Sequence, residues 1–272
     1  MSGTPNDQPA ESLPQQLDFA GISSLVSAEF QVEEALLEND IPTYYLKQPQ
    51  ETKNAFLRLF KNLKSTNLMP VLRRADRRIV LRIVSKPPVK PSNILVNWIL
   101  FFATLGTTFL TGYMLSIDGV VNPWIGGITF MVAIMAVLGV HEMGHKLTAN
   151  KKQIEATPPY FIPGPPPLFG GFFGTFGAVI MQKSLPPNRD SLFDVGSSGP
   201  LVGFIVSVVA VFFGLVLSPS TYALPVGPFL PVPLFFQLAA ISLSYLGIAP
   251  VGNIILLHPV AFAGMIGLIV TM

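Results

Sequence analysis

The sequence predicts a polytopic α-helical membrane protein that carries a small α+β cytosolic domain at its N-terminus. Half of the 272 residues are hydrophobic and 12% are charged, whereas soluble domains average about 25% charged residues. The charges are concentrated at one end, because residues 1–90 hold 12 of the 17 Lys and Arg residues and 10 of the 15 Asp and Glu residues. Residues 195–272 carry no charged side chain, and so long a run cannot cover the surface of a water-soluble globule.

Composition also excludes several classes of function. The formal net charge of +2 offers no basic surface for nucleic acid, so no nucleic-acid partner is expected. The chain has no cysteine and forms neither disulfides nor a thiolate metal site. Its three histidines are His141, His145 and His258, and a metal ion would need imidazole, carboxylate, amide or water ligands.

The charge map divides the chain into three regions. Residues 1–20 are rich in Pro, Gln, Ser and Asn and are predicted to form a disordered tail. Residues 21–88 are predicted to form a small α+β domain, called the head domain below. A stiff linker containing Pro87, Pro88 and Pro91 leads into the predicted transmembrane domain, residues 93–272.

Within the head domain, local patterns predict a βαββ unit. The apolar spacing from about Ile22 to Asn39 is loosely helical, and the aromatic segment Ile41–Lys47 is typical of a strand. Apolar residues in 56–63 recur at the spacing of an amphipathic helix. Two β-rich runs, 68–73 and 78–84, flank a polar turn and predict a hairpin.

The transmembrane domain contains three clear apolar spans. Asn93–Leu115 is uncharged for 23 residues, which at 1.5 Å per residue is enough to cross about 30 Å of hydrocarbon. A second span runs from about Trp124 to Leu147, and a third from Val195 to Leu217. Residues 229–247 and 254–272 are also apolar, and the topology beyond residue 217 stays open.

The segment between the second and third spans is not a continuous helix. Six prolines fall between Pro158 and Pro167, and proline interrupts helical hydrogen bonding. This proline-rich loop is interpreted as a rigid connector or as a gate, and Gly174–Ile180 is predicted to be an extended strand. Basic residues outside the spans fall on one predicted side of the membrane: Lys86, Lys90, Lys151, Lys152, Lys183 and Arg189. The positive-inside rule therefore places the head domain and this loop in the cytosol.

The second span ends in an H-E-x-x-H motif, His141-Glu142-Met143-Gly144-His145. Residues four apart on a helix share one face, so both imidazoles can bind one Zn²⁺ ion. Glu142 lies beside the first histidine, where its carboxylate can take a proton from a metal-activated water molecule. The pattern also arises by chance on ordinary helices, but ionisable groups at the edge of a membrane span are costly and are expected to serve a site.

The chain resembles the site-2 proteases, which are intramembrane zinc metalloproteases, in three consecutive segments. These are the H-E-x-x-H at the end of an early span, F-G-T-F-G-A at Phe173–Ala178, and F-D-V-G-S-S-G-P-L-V-G-F at Phe193–Phe204. The resemblance covers roughly residues 30–272. It is closest to archaeal, cyanobacterial and plastid members that have a soluble N-terminal head.

The resemblance implies a zinc metalloendopeptidase that cleaves a transmembrane segment of another protein in the lipid bilayer. It implies Zn²⁺ binding by His141 and His145, with Glu142 as the general base. In this family the strand-like segment lines the site and pairs with unwound substrate by β-addition. The residues carried over as substrate-binding are Gly174, Thr175, Phe176 and Gly177.

The third metal ligand is the point at which the sequence departs from the family. The resemblance implies an Asp in an L-D-G-type motif on a later span, and no Asp follows Asp194 here. We expect the sequence to be a C-terminal truncation, with the acid beyond Met272; otherwise the site is incomplete. Asp194 is predicted mainly to cap the third span, and His258 to be interfacial or hydrogen-bonded, although each remains an alternative ligand.

Two classes of function remain open from the sequence. The first is the intramembrane zinc protease. The second is a non-proteolytic membrane protein that keeps the fold, either as a scaffold or as a metal-handling protein. The complete H-E-x-x-H favours the enzyme, whereas the missing acid favours the second class if the protein ends at Met272. The substrate, the role of the head domain, the oligomeric state and the membrane or organelle are not predicted.

Overall fold

The structure, a computed structural model, describes residues 18–75, 77–88, 91–117, 121–170, 173–221, 233–248 and 254–271. The chain forms two compact units, Met1–Pro88 and Val89–Met272. Residues 1–17 of the predicted tail, Asp76 in the predicted hairpin turn and Lys90 in the predicted linker lie outside the described ranges.

The first unit is a four-stranded antiparallel sheet with two helices. Its elements in chain order are α1 (Phe19–Glu29), β1 (Val32–Glu38), β2 (Ile41–Leu46), α2 (Lys53–Asn62), β3 (Leu68–Ala75) and β4 (Arg78–Ser85). The strand order is β1-β2-β4-β3. A buried core that includes Val26, Tyr44, Leu59 and Leu81 joins both helices to the sheet. The predicted strand at 41–47, the helix at 56–63 and the hairpin are all present.

The structure corrects the prediction in the first unit at residues 22–39, which are not one loose helix. Helix α1 begins at Phe19, inside the segment predicted as tail, and the chain then forms strand β1. A two-residue loop, Asn39-Asp40, connects β1 to β2, and both of its residues have positive φ, at 51° and 63°. This type of turn favours Asn and Asp, because these residues tolerate a left-handed backbone conformation. The turn signal therefore outweighs the weak helical spacing before it.

The second unit is mostly helical. Its elements are α3 (Ile94–Leu115), α4 (Pro123–Lys151), β5 (Tyr160–Pro163), β6 (Thr175–Val179), α5 (Arg189–Val216), β7 (Ser220–Thr221), α6 (Leu234–Tyr245), β8 (Ile254–Ile255) and α7 (Pro259–Thr271), with a 3₁₀ turn at Pro167–Phe169. In the described part of the chain, α3, α4 and α5 are long and apolar enough to cross a membrane. The three clear spans of the sequence correspond to these helices.

The third span begins earlier than the sequence predicts. Helix α5 starts at Arg189, and Asn188 caps it by accepting a hydrogen bond from the Ser191 backbone at 2.8 Å. Asp194 therefore lies inside the helix and does not cap it, which corrects the predicted role of this residue. The charged first turn hides the helix start from a search for apolar residues, but the Asn cap provides a local signal.

Helix α4 is central to the second unit because it packs against α3, α5 and α7. Phe130, Ile134 and Leu138 on α4 belong to a buried cluster with Phe161 of β5 and Ile266 of α7. Strands β5 and β6 form an antiparallel hairpin that contacts α3 and α4. This packing brings the end of α4, the start of α5 and strand β6 together.

Candidate metal centre

The two histidines of the H-E-x-x-H motif converge at the C-terminal end of α4. Their Nε2 atoms lie 3.2 Å apart, and the ring centroids lie 4.9 Å apart. Two nitrogens bound to one tetrahedral zinc ion at 2.0–2.1 Å would lie about 3.3 Å apart. The spacing of the imidazoles therefore fits a shared metal ion.

His145 is oriented by the backbone of α5. Its Nδ1 lies 2.6 Å from the carbonyl oxygen of Val195, and because a carbonyl only accepts, Nδ1 must donate the proton. In the neutral ring this leaves the Nε2 lone pair free to bind a metal, which is the usual outer arrangement of a metal-bound histidine. The Nδ1 atom of His141 is buried and has no hydrogen-bond partner in the described part of the chain.

Two glycines on α5 make room for the imidazoles. A Cβ atom at Gly199 would collide with the Nε2, Cδ2 and Cε1 atoms of His145. A Cβ atom at Gly203 would lie 2.8 Å from Nδ1 of His141 and 2.7 Å from Cγ2 of Thr271. The end of α7 is therefore close to the first imidazole, and the G-x-x-x-G spacing on α5 matches the H-x-x-x-H spacing on α4.

Glu142 lies on the same stretch of α4 and is 7% exposed. The backbone of Ile180, directly after β6, lies near its carboxylate. The carboxylate thus lies near both His145 and the end of the strand. A buried acid in this position can exchange a proton with a group bound beside the imidazoles.

The strand predicted to bind substrate is present as β6 and is half of a two-stranded sheet. Gly174 precedes the strand with φ of +70°, Thr175 donates a side-chain hydrogen bond to the Ile162 carbonyl at 2.9 Å, and Gly177 has φ of +105°. The Phe176 side chain is 74% exposed. Because β5 pairs with one edge of β6, the other edge has no partner strand in the described ranges.

Neither alternative third ligand joins the histidines. Asp194 forms an ion pair with Lys152, with Oδ2 and Nζ 2.5 Å apart. The Nδ1 atom of His258 accepts a hydrogen bond from the Val260 backbone at 3.2 Å and so caps the start of α7. No group of three or more His, Cys, Asp or Glu residues that could hold a metal occurs among the residues that the structure describes.

Sequence reasoning did not identify the contacts that orient the site. The carbonyl of Val195 leaves no signal in a sequence, because any residue supplies a carbonyl. The glycine pair, Gly199 and Gly203, has the same spacing as the two histidines, and this match is the sequence signal for its specific role. The contacts of Asn97 and Thr107 on α3 are equally invisible in a span that is predicted from its apolar composition.

Comparison with known proteins identifies the family of the chain. The model of Peptidase family M50 matches residues 129–272. "Probable zinc metalloprotease EGY1, chloroplastic" from Oryza sativa subsp. japonica is 32% identical over 142 residues, which is 51% of this chain and 24% of that protein. The Arabidopsis thaliana protein of the same name is 34% identical over 144 residues, 51% of this chain and 25% of that protein.

A second type of relative matches a shorter region. "Probable zinc metalloprotease EGY2, chloroplastic" from Arabidopsis thaliana is 38% identical over 84 residues, 31% of this chain and 14% of that protein. These matches thus span about a quarter or less of each relative's length. No solved structure matches the chain. Since the family model covers more than half of the sequence, the chain belongs to peptidase family M50, the site-2 protease family, and has plastid-type relatives.

Proposed function

We propose that the protein is an intramembrane zinc metalloendopeptidase that hydrolyses peptide bonds in or near transmembrane segments of other proteins. The observation that carries this proposal is the 3.2 Å approach of the two Nε2 atoms beside a buried glutamate. The helix that holds them is apolar enough to cross a membrane. The names of the EGY relatives, which are probable zinc metalloproteases, support the same chemistry.

In this proposal His141 and His145 hold Zn²⁺ through their Nε2 atoms. Bound there, zinc would supply an activated water molecule, with its pKa lowered to about 7. Glu142 takes the proton from the attacking water and later gives it to the leaving amine, as a general base and then a general acid. Val195 keeps His145 in the tautomer that presents Nε2, through the 2.6 Å hydrogen bond.

The proposed membrane topology puts the site near the cytosolic end of α4. Six turns of helix separate the exposed Trp124, at the start of α4, from Lys146 after the motif. Aromatic residues favour membrane interfaces, and lysines favour the cytosolic side. Lys183 donates to the Ser92 hydroxyl at 3.2 Å, which brings the loop after α4 to the same end as the start of α3. The head domain is then cytosolic.

Substrate is proposed to bind along the open edge of β6. An extended peptide can add to a strand edge through main-chain hydrogen bonds. The residues proposed for this contact are Gly174, Thr175, Phe176 and Gly177. Because the backbone of Ile180, just past the strand, lies near Glu142, an added peptide would pass close to the general base.

The proposal is tested by cleavage of a tagged single-span membrane reporter in proteoliposomes. Glu142→Ala is expected to retain zinc and to cut nothing, because it loses only the proton acceptor. Glu155→Ala is the matched control, since Glu155 is an exposed acid beyond the end of α4. Cleavage by Glu142→Ala at the rate of the control would refute the mechanism.

A non-proteolytic scaffold is the second candidate. It is favoured by one observation, that no group of three His, Cys, Asp or Glu side chains able to hold a metal occurs in the described ranges. A purified protein with zinc content near zero and no cleavage of the reporter would support the scaffold over the enzyme.

A further inference from the structure

Asn97 is a buried amide on the apolar helix α3. The side chain is 7% exposed, and its Nδ2 donates to the carbonyl oxygens of Pro158 and Pro159 at 3.3 and 3.0 Å. These two residues directly precede β5. The Oδ1 atom of Asn97 is buried without a hydrogen-bond partner in the described part of the chain. Asn97 therefore ties α3 to the entry of the β5–β6 hairpin.

Thr107 ties the same helix to the second strand. Its hydroxyl has three acceptors within reach, namely the carbonyls of Ala103 at 3.1 Å, Thr104 at 3.2 Å and Gly174 at 2.6 Å. A hydroxyl donates one proton, and the shortest distance identifies Gly174 as the main acceptor. Gly174 packs so closely on α3 that a Cβ atom there would lie 2.5 Å from the Thr107 carbonyl.

We propose that Asn97 and Thr107 are positioning residues that clamp the β5–β6 hairpin to α3 and thereby fix β6 relative to Glu142. The proposal rests on the proposed function, because it takes β6 to be the strand that binds substrate. The clamp acts on residues 158–159 at the start of β5 and on Gly174 at the start of β6.

The clamp on α3 and the packing of β6 against α4 hold the hairpin from two sides. At the start of β6 the constraint comes from the Thr107 hydrogen bond on α3, and β6 also packs against α4, the helix that carries Glu142. A shift of one residue along a strand reverses the direction of every side chain. The clamp would therefore decide which backbone groups of β6, and hence which substrate bond, lie opposite the general base.

Burying the Asn97 amide in an apolar helix carries a cost in folding free energy, which suggests a specific role for the residue. A polar side chain in an apolar span is destabilising unless it is hydrogen-bonded to a neighbouring element. Here the amide also leaves one acceptor unpaired, which adds a desolvation cost. An apolar residue would avoid both costs, but it would leave the carbonyls of Pro158 and Pro159 without their donor.

Hydrogen exchange of the purified full chain in detergent micelles tests the clamp without reference to activity. Thr107→Val removes the hydroxyl while keeping the shape, and exchange in peptides covering residues 174–180 should rise roughly two- to tenfold, the effect of one ordinary hydrogen bond. Thr108→Val is the matched control, because this buried neighbour bonds only within α3, to Thr104 at 2.6 Å and Leu105 at 3.2 Å. Thr107→Ser should restore the parental exchange. Equal exchange in Thr107→Val and Thr108→Val would overturn the proposal.

Asn97→Leu provides a second, independent variant. It should increase exchange in residues 160–163, and unchanged exchange there would also contradict the clamp. In the reporter assay, Thr107→Val should cleave several-fold more slowly than Thr108→Val at equal zinc content. It should also shift the position of the cleaved bond. Cleavage rates and positions equal to those of Thr108→Val would contradict the clamp. If the parent protein cleaves no reporter, the proposed function fails, and the exchange measurements still decide whether the clamp exists.

Discussion

Replacing Gly199 by alanine should weaken metal binding although no ligand is replaced. The new Cβ atom would collide with three ring atoms of His145. The ring cannot simply rotate, because its Nδ1 is bonded to the Val195 carbonyl at 2.6 Å on the same helix. Either the imidazole swings away from His141 or α5 moves away from α4.

The expected magnitude follows from these two responses. Loss of a contact that orients a metal-bound histidine typically costs about 10- to 100-fold in metal affinity or activity. Overpacking by one methyl group typically costs about 1–3 kcal/mol of stability. Zinc affinity in Gly199→Ala should therefore fall by about one to two orders of magnitude.

The assay is chelator competition for zinc on the purified protein in detergent, followed by the reporter assay. Gly196→Ala is the control, because this glycine lies three residues earlier on α5 and its Cβ would meet nothing within 4 Å. The control should bind zinc like the parent and be slightly more stable, since alanine favours helix over glycine. Parental zinc affinity in Gly199→Ala would refute the role assigned to the glycine.

Three further variants probe other parts of the account. Leu59→Ala, at a fully buried site in the head-domain core, should lower the stability of the head domain by about 2–5 kcal/mol in urea unfolding, with zinc content unchanged. Asp194→Asn should break the partly exposed ion pair with Lys152 and cost at most about 1 kcal/mol; a loss of zinc would instead show that Asp194 is a ligand. His258→Ala should remove the cap of α7 at a cost of about 1 kcal/mol in thermal unfolding, and here too zinc content should not change.

Local patterns predicted most of the helices, because apolar runs and amphipathic spacing are set by residues close together in the sequence. The first span was placed within one residue of α3, which starts after its Asn93 cap. Strand β1 was missed because its apolar residues are mostly exposed and carry little alternation, and pairing with β2 through the Asn39-Asp40 turn decides its conformation. Pairing between strands cannot be predicted from the spacing of apolar residues within one strand.

The sequence predicted the side chains that would bind the metal, but not the long-range contacts that orient them. The H-E-x-x-H spacing predicted the convergence of His141 and His145, and the structure shows it. The carbonyl of Val195 and the clamp from Asn97 depend on residues 50 and 61 positions away in the chain, as the hydrogen bonds to His145 and Pro158 show. The predicted cap at Asp194 was wrong because Asn188, six residues earlier, caps α5.

Zinc stoichiometry of the purified full chain tests the central claim most directly. Metal analysis should find bound zinc in the parent and in Glu142→Gln, because the glutamate is not a ligand in this account. His141→Ala and His145→Ala should each lose most of it, because each removes one of the two converging Nε2 atoms. A parent protein without zinc, or equal zinc in the parent and both histidine variants, would contradict the claim that these two imidazoles hold the metal.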